Sequence, residues 1–294
     1  MGFANDAVRS LFIAKKLGAA FDQTLTIGRQ TWCFSKKRLI DYARHYNINV
    51  PEIENIVFKD DYSEPVLYAL GANYVDSMDF SDYENASIIH DLNIPVSETL
   101  KGKYNFVIDG GTLEHIFNFP VSIKNCMEMV KVNGHFVTIT NGNNFLGHGF
   151  YQYSPELLYR IFSAENGFTV ECMFLSTLAG NGTKETWYTV NDPDKVKSRI
   201  NISNSKPVSI IMIAKKIAEV DIFSVTPQQS DYQVIWDKAE SGQAKIDKTS
   251  GFVKMYRKYM PSPLKKLAYF FTKTTKRSRN LGEIDPAHIN KFYF

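Results

Sequence analysis

Short apolar runs, each closed by a glycine, an acid or an amide, recur as far as Lys216 and set the limits on what this chain can fold into. Thr24–Gly28 ends in Gly28, Ala72–Met78 runs into Asp79, and Ala86–His90 runs into Asp91. Tyr104–Ile108 runs into Asp109-Gly110-Gly111, and Phe136–Thr140 into Asn141-Gly142-Asn143-Asn144. Residues 4–19 carry Val8, Leu11, Phe12 and Leu17 at helical spacing, and further helices are expected over 35–46, with Ser35 as N-cap, about 120–130, and 154–165. Residues 51–66 are less regular. Phe168–Ser176 and Val208–Lys215 are the last two strands, able to pair antiparallel across the polar segment 179–207. Short apolar strands separated by helices predict a mostly parallel α/β sheet with helices on both faces.

Hydrophobic residues make up 44% of the 294, against 22% charged, which is enough for a packed core and argues against global disorder. The three cysteines, Cys33, Cys126 and Cys172, are odd in number and show no CxxC, so neither a disulfide framework nor a zinc site of usual spacing is expected. The acidic residues show no HExxH-type pattern either, and no metal ligand is assigned. No segment has the roughly 18 apolar residues of a membrane span, and the first 21 residues make a poor signal peptide. A cytoplasmic protein is therefore expected.

Residues 1–216 are read as one domain, and 217–294 as a polar linker with a basic, aromatic extension. Lys254 to Arg279 holds nine basic residues and no acidic one, so the net charge of +3 belongs to this tail. The tail reads as a solvated helix or as a segment that docks on an anionic membrane surface through residues 254–279, with Tyr269, Phe270 and Phe271 among the lysines. Nucleic acid ranks last, because no recognisable binding module accompanies the charge.

In open α/β sheets, ligands bind at the carboxyl ends of the strands, where the strand order reverses. A carboxylate after the second strand can accept both hydroxyls of a ribose, and one after the third can accept from an adenine amino group. A glycine after the first lets backbone approach a ligand closely. The runs Asn73–Ser81, Ile88–Asn93 and Tyr104–His115, followed by Met129–Phe136 with its Asn133-Gly134 turn, resemble class I S-adenosylmethionine-dependent methyltransferases over roughly residues 20–215.

The resemblance implies a Rossmann-like domain with S-adenosylmethionine as cofactor. It implies Asp79, with Phe80, on the ribose; Asp91, with Leu92, on the adenine; and Asp109, Gly110, Gly111 and Glu114 under the methionine part. The first loop, Thr26-Ile-Gly28-Arg29-Gln30-Thr31, departs from the family in having one glycine and no acid. Gly28 would still approach the cofactor, and Arg29 or Gln30 would supply the contacts to its methionine end.

Methyl transfer to a hydroxyl needs a base. The candidates are His115, beside the fourth strand end, and His148, in the aromatic loop 145–153. His90 and His135 read as structural. The function expected is O-methylation of a small or glycan-type polar acceptor, the glycan preference resting on the resemblance alone. The alternatives are a non-catalytic binding module that keeps the fold and a nicotinamide-dependent oxidoreductase; the latter lacks its glycine fingerprint, and a hydrolase lacks a GxSxG elbow. Oligomeric state is not legible in the sequence.

Overall fold

The computed structural model describes residues 2–49, 53–58, 60–177, 186–196, 205–230, 232 and 236, and the backbone of 281–283. The basic stretch 254–279 lies outside the described residues. In chain order the elements are β1 (Gly2–Phe3), α1 (Asn5–Lys16), β2 (Gln23–Ile27), β3 (Thr31–Trp32), α2 (Lys36–His45), α3 (Glu64–Ala69), β4 (Tyr74–Asp79) and β5 (Ile88–Ile89). They continue with β6 (Tyr104–Asp109), α4 (Phe119–Met129), β7 (Val130–Asn143), α5 (Pro155–Ile161), β8 (Phe168–Thr177), β9 (Thr186–Val190), α6 (Pro193–Val196), β10 (Val208–Lys216) and β11 (Leu281–Glu283).

Among the described residues, nine strands form one sheet in the order β11-β9-β8-β10-β7-β6-β2-β4-β5. The half from β7 to β5 is parallel, while β10 runs antiparallel to both β7 and β8. Taken in chain order, the parallel strands lie third-second-first-fourth-fifth, the doubly wound Rossmann-like arrangement. Its switch point is between β2 and β6, where one connection leaves to each side.

Alternation along each strand builds two cores. Phe106, Ile108, Val137, Ile139, Ile211 and Ile213 face α1 and α2, where Val8, Leu11, Phe12 and Leu39 meet them. Val107, Phe136, Ile210 and Met212 point to the other face, against Ile123 and Met127 of α4 and Leu158 of α5. A period of two with both faces apolar is what helices on both sides of a sheet require. Burying each such side chain is worth about 1.5–3 kcal/mol. Ser35 caps α2 as expected, its Oγ accepting from Arg38 N at 3.4 Å.

Four differences from the sequence reading have local causes. The Asn133-Gly134 turn is a kink inside β7, which begins directly after α4. Asn133 takes φ 67°, and the pairing with β6 jumps from Tyr104↔Val130 to Phe106↔His135. The helix expected over 154–165 is α5 followed by a 3-10 turn at Ala164–Asn166. The irregular stretch 51–66 closes with the start of α3, whose Pro65 sits in the first turn, where its missing N–H costs nothing. The polar segment 179–207 contains β9, which pairs with β8, and β11 adds a further strand from within the stretch read as extension.

β5 joins the sheet without a crossover helix. Ser77 and Ser87 exchange backbone-to-hydroxyl hydrogen bonds at 2.9 and 3.2 Å, and Ser87 Oγ donates to Asp76 Oδ1 at 2.8 Å. Side chains thereby hold the 80–87 loop where a helix would otherwise pack. No helix among the described residues is long and apolar enough to cross a membrane.

Candidate functional site

Strand register fixes which residues stand together at the switch point. Ile27 pairs with Met78 on one side and Asp109 on the other, and Asp79 pairs with Ile89. Gly28, at φ 72°, donates its N–H to Met78 O at 2.7 Å, so it lies beside Asp79 at the sheet edge. The strand ends bearing Gly28, Asp79 and Asp109–Gly111 therefore lie along one rim, with Asp91 two residues past the end of β5.

Their side chains divide into committed and open groups. Asp79 Oδ1 accepts from Phe80 N at 2.7 Å, and its Oδ2 receives no hydrogen bond from the described residues. Asp91 Oδ1 accepts from both the N and the Nδ2 of Asn93, at 2.9 and 2.8 Å; its Oδ2 is likewise open among the described residues. The backbone bond and then the side-chain bond from Asn93 hold the Asp91 carboxyl below the usual range. Phe80 is 72% exposed beside Asp79, whereas Leu92 turns into the core under Asp91.

Asp109 is fully buried and fully used. Its Oδ1 accepts from Thr112 N at 2.8 Å and Leu113 N at 3.3 Å, and its Oδ2 from Thr138 Oγ1 at 2.7 Å. Burial raises its pKa despite these bonds. Its task is to fold the Gly110–His115 turn, and Thr112 Oγ1 ties that turn to β2 through Ile27 O at 2.6 Å. Sequence reading missed Thr112, Thr138 and Thr140; the visible signal was alternate hydroxyls within the apolar β7.

The first loop is built unlike the expectation for Arg29. Arg29 turns away from the rim: it pairs with Glu64 at 2.7 Å and Asp60 at 3.3 Å and stacks on Tyr62 at 3.7 Å. Gln30 is buried, its Nε2 donating to Ile27 O at 2.8 Å and Gly28 O at 3.3 Å. Those two carbonyls fix the amide orientation and leave Oε1 buried with no partner. A Cβ on Gly110 would lie 2.6 Å from that Oε1 and 3.1 Å from the ring of Phe3. Phe3 arrives through β1, which pairs with β3 just after the first loop, a contact no sequence signal marked.

Glu114, His115 and His148 converge. Glu114 is 2% exposed; its Oε2 accepts from Thr140 Oγ1 at 3.0 Å, and its Oε1 lies 3.9 Å from His148 Nε2. Burial first, and then the charge of Asp109, raise its pKa. The two imidazoles stand 4.9 Å apart, and burial together with His148 lowers the pKa of His115.

The loop carrying His148 is anchored on the backbone of Glu114. Phe150 N and Tyr151 N both donate to Glu114 O, at 2.7 and 3.3 Å. Gly149 takes φ 68°, and a Cβ there would lie 2.7 Å from the same oxygen. Phe117 and Phe150 meet edge to face, and Tyr151 donates its hydroxyl to Phe117 O. Two cavities among the described residues are lined by none of Gly28, Asp79, Asp91 or Asp109–Gly111. One of about 600 Å³ lies between Asn143, Tyr153, Glu156 and Arg160; one of about 780 Å³ lies between Arg29, Tyr68, Val75 and Ser87.

No protein-family model matches the chain, and no curated protein matches it. Solved structures do. TehB from Haemophilus influenzae is 14% identical, with 70% of this chain and 61% of that one covered and a TM-score of 0.38. The chain thus spans about three fifths of TehB. A SAM-dependent methyltransferase from Methanosarcina mazei is 9% identical, covering 74% and 100%, TM-score 0.38. The 1,6-didemethyltoxoflavin-N1-methyltransferase of Burkholderia thailandensis, solved with S-adenosylhomocysteine, is 10% identical, covering 73% and 80%, TM-score 0.38. At such scores the Rossmann-like assignment rests on the strand order of this chain itself.

Proposed function

We propose that this chain is an S-adenosylmethionine-dependent methyltransferase that modifies an oxygen of a small or glycan-type polar acceptor. The observation that carries this reading is the pair of open carboxylate oxygens, Asp79 Oδ2 and Asp91 Oδ2, on the same rim as Gly28 at the switch point. That rim fits a nucleoside: Asp79 accepts from the ribose hydroxyls and Asp91 from the adenine amino group, with Phe80 exposed beside them as an apolar face. The buried, unpartnered Gln30 Oε1 fits the other end, since the amino group of the methionine part is the kind of donor it lacks.

The bound cofactor would supply an electrophilic methyl group on a sulfonium. The chain's own part is then to hold the acceptor in line and take its proton. His115, its pKa lowered by burial and by His148, is the proposed base, with the His148 ring 4.9 Å away. The exposed rings of Phe117 and Phe150 supply faces on which a sugar ring can stack. A second reading, a binding module without catalysis, is favoured by one observation: Gln30 and Phe3 fill the space behind Gly110.

Transfer of labelled methyl from S-adenosylmethionine to a panel of oligosaccharides and nucleotide sugars separates the two. The enzyme reading expects alkali-stable methyl ether, and His115→Gln and His148→Gln slowing transfer 100-fold or more with S-adenosylhomocysteine affinity within twofold. Cofactor binding without transfer to any acceptor favours the module, and undiminished transfer in both variants removes the base assignment.

A further inference from the structure

Two buried carboxyls at the switch point lack cationic partners. Among the described residues, neither Asp109 nor Glu114 has a lysine or arginine within ion-pair distance, and Glu114 has only the distant His148. Buried acids are paired, coordinate a metal, or shift their pKa and take up a proton; Asp109 is satisfied by its three hydrogen bonds, which leaves Glu114 as the one with an open oxygen. Glu114 Oε1 and His148 Nε2, at 3.9 Å, are too far apart for a hydrogen bond. Two such ligands on one ion, with bonds of roughly 2.1 Å, stand about 3.0–3.6 Å apart, so this pair is a few tenths of an ångström too wide. His115 completes the set: one ligand atom from each of Glu114, His115 and His148 lies within 4.8 Å of the others.

We propose that Glu114, His115 and His148 together bind one divalent cation of the late first transition row. Two imidazoles and one carboxylate form a borderline donor set that suits Zn²⁺, Co²⁺, Ni²⁺ or Fe²⁺ over Mg²⁺ or Ca²⁺. Three protein ligands leave at least one position open for a polar molecule. The surroundings are those of a ligand site. Thr140 Oγ1 holds the second oxygen of Glu114, the support a ligating carboxylate needs. Gly149, confined by its close approach to Glu114 O, sets His148 over the carboxylate. Closing the widest pair from at most 4.8 Å to the roughly 3.4 Å of a tetrahedral site takes up to about 1.4 Å, and His148, whose side chain is 52% exposed, has room to turn.

This site goes beyond methyl transfer and does not depend on it.

The test uses the full chain stripped by a chelator, titrated with Co²⁺ and followed by visible absorption, then with Zn²⁺ by calorimetry. We expect one equivalent to bind, with the cobalt bands of a low-coordinate nitrogen and oxygen site. Glu114→Gln and His148→Gln should each weaken binding at least tenfold. His148 is exposed, so His148→Gln should keep the wild-type circular dichroism and unfolding midpoint in chelator. Absence of saturable one-to-one binding in the wild type overturns the proposal, as does wild-type affinity in His148→Gln. Neither metal titration involves S-adenosylmethionine, so failure here leaves the cofactor reading to its own test.

Discussion

At the residue scale, the rim acids differ in what they can be asked to do. Asp79 bonds only to the next backbone N–H, so its removal should leave the fold intact. Asp79→Ala is expected to weaken S-adenosylhomocysteine binding by tenfold or more, about 1.5–3 kcal/mol for hydrogen bonds to a charged group, with an unchanged melting temperature. Calorimetry and thermal unfolding read the two halves, and unaltered affinity removes the ribose role. Gly149 is the converse case. Its φ of 68° and the 2.7 Å approach to Glu114 O exclude a side chain. Gly149→Ala should cost about 1–2 kcal/mol in chemical denaturation; a neutral outcome would mean the 145–153 loop is not pinned as described. Little of this was legible. Spacing rules register neighbours in sequence, whereas Glu114 and His148 meet only because the loop after β7 folds back onto the turn after β6. Nor does composition reveal that Asp109 is consumed by its own turn while Asp79 and Asp91 stay open.

At the scale of elements, Asp76 of β4 ties β4 to the start of β6 across the intervening β2. It accepts from Tyr104 Oη at 2.6 Å, Lys103 Nζ at 3.0 Å and Ser87 Oγ at 2.8 Å. Burial pushes its carboxyl up, but the bonds from Tyr104, Lys103 and Ser87 outweigh burial and hold it below the usual range. A depressed folded pKa means stability that is present above the unfolded value, near 3.9, and is lost as pH falls through the folded one. Asp76→Asn should therefore destabilise by about 1.5–3 kcal/mol at pH 7, and the gap should shrink below about pH 4. Urea unfolding at a series of pH values checks this, and a gap that stays constant contradicts it. The strands that were legible are the ones whose apolar residues cluster before a glycine, acid or amide, or form a run near the end, β2, β4, β5, β6, β7, β8 and β10. β1 is two residues long, and β9 lies in a polar segment with Trp187 as its buried anchor, so neither left a pattern to read.

At the scale of the whole molecule, one alternation of apolar residues generates both cores and thus the switch point where the acids gather. Phe106 occupies the middle of this arrangement, buried and stacked on Phe21 at 4.2 Å. Phe106→Ala should cost about 3–5 kcal/mol in denaturant unfolding; a loss under 1 kcal/mol would place the core elsewhere. The architecture itself was legible because period-two alternation and strand-end residues are local signals. The antiparallel insertion of β10 between β7 and β8 depends on long-range pairing, of which the sequence showed only that the last two strands could pair.

The account stands on a nucleoside cofactor at the β2–β6 switch point, and calorimetric titration of S-adenosylhomocysteine into the full chain tests it most directly. One saturable site that S-adenosylmethionine displaces and NAD does not is the predicted result. No binding of either S-adenosyl compound, or binding of NAD in their place, would contradict it.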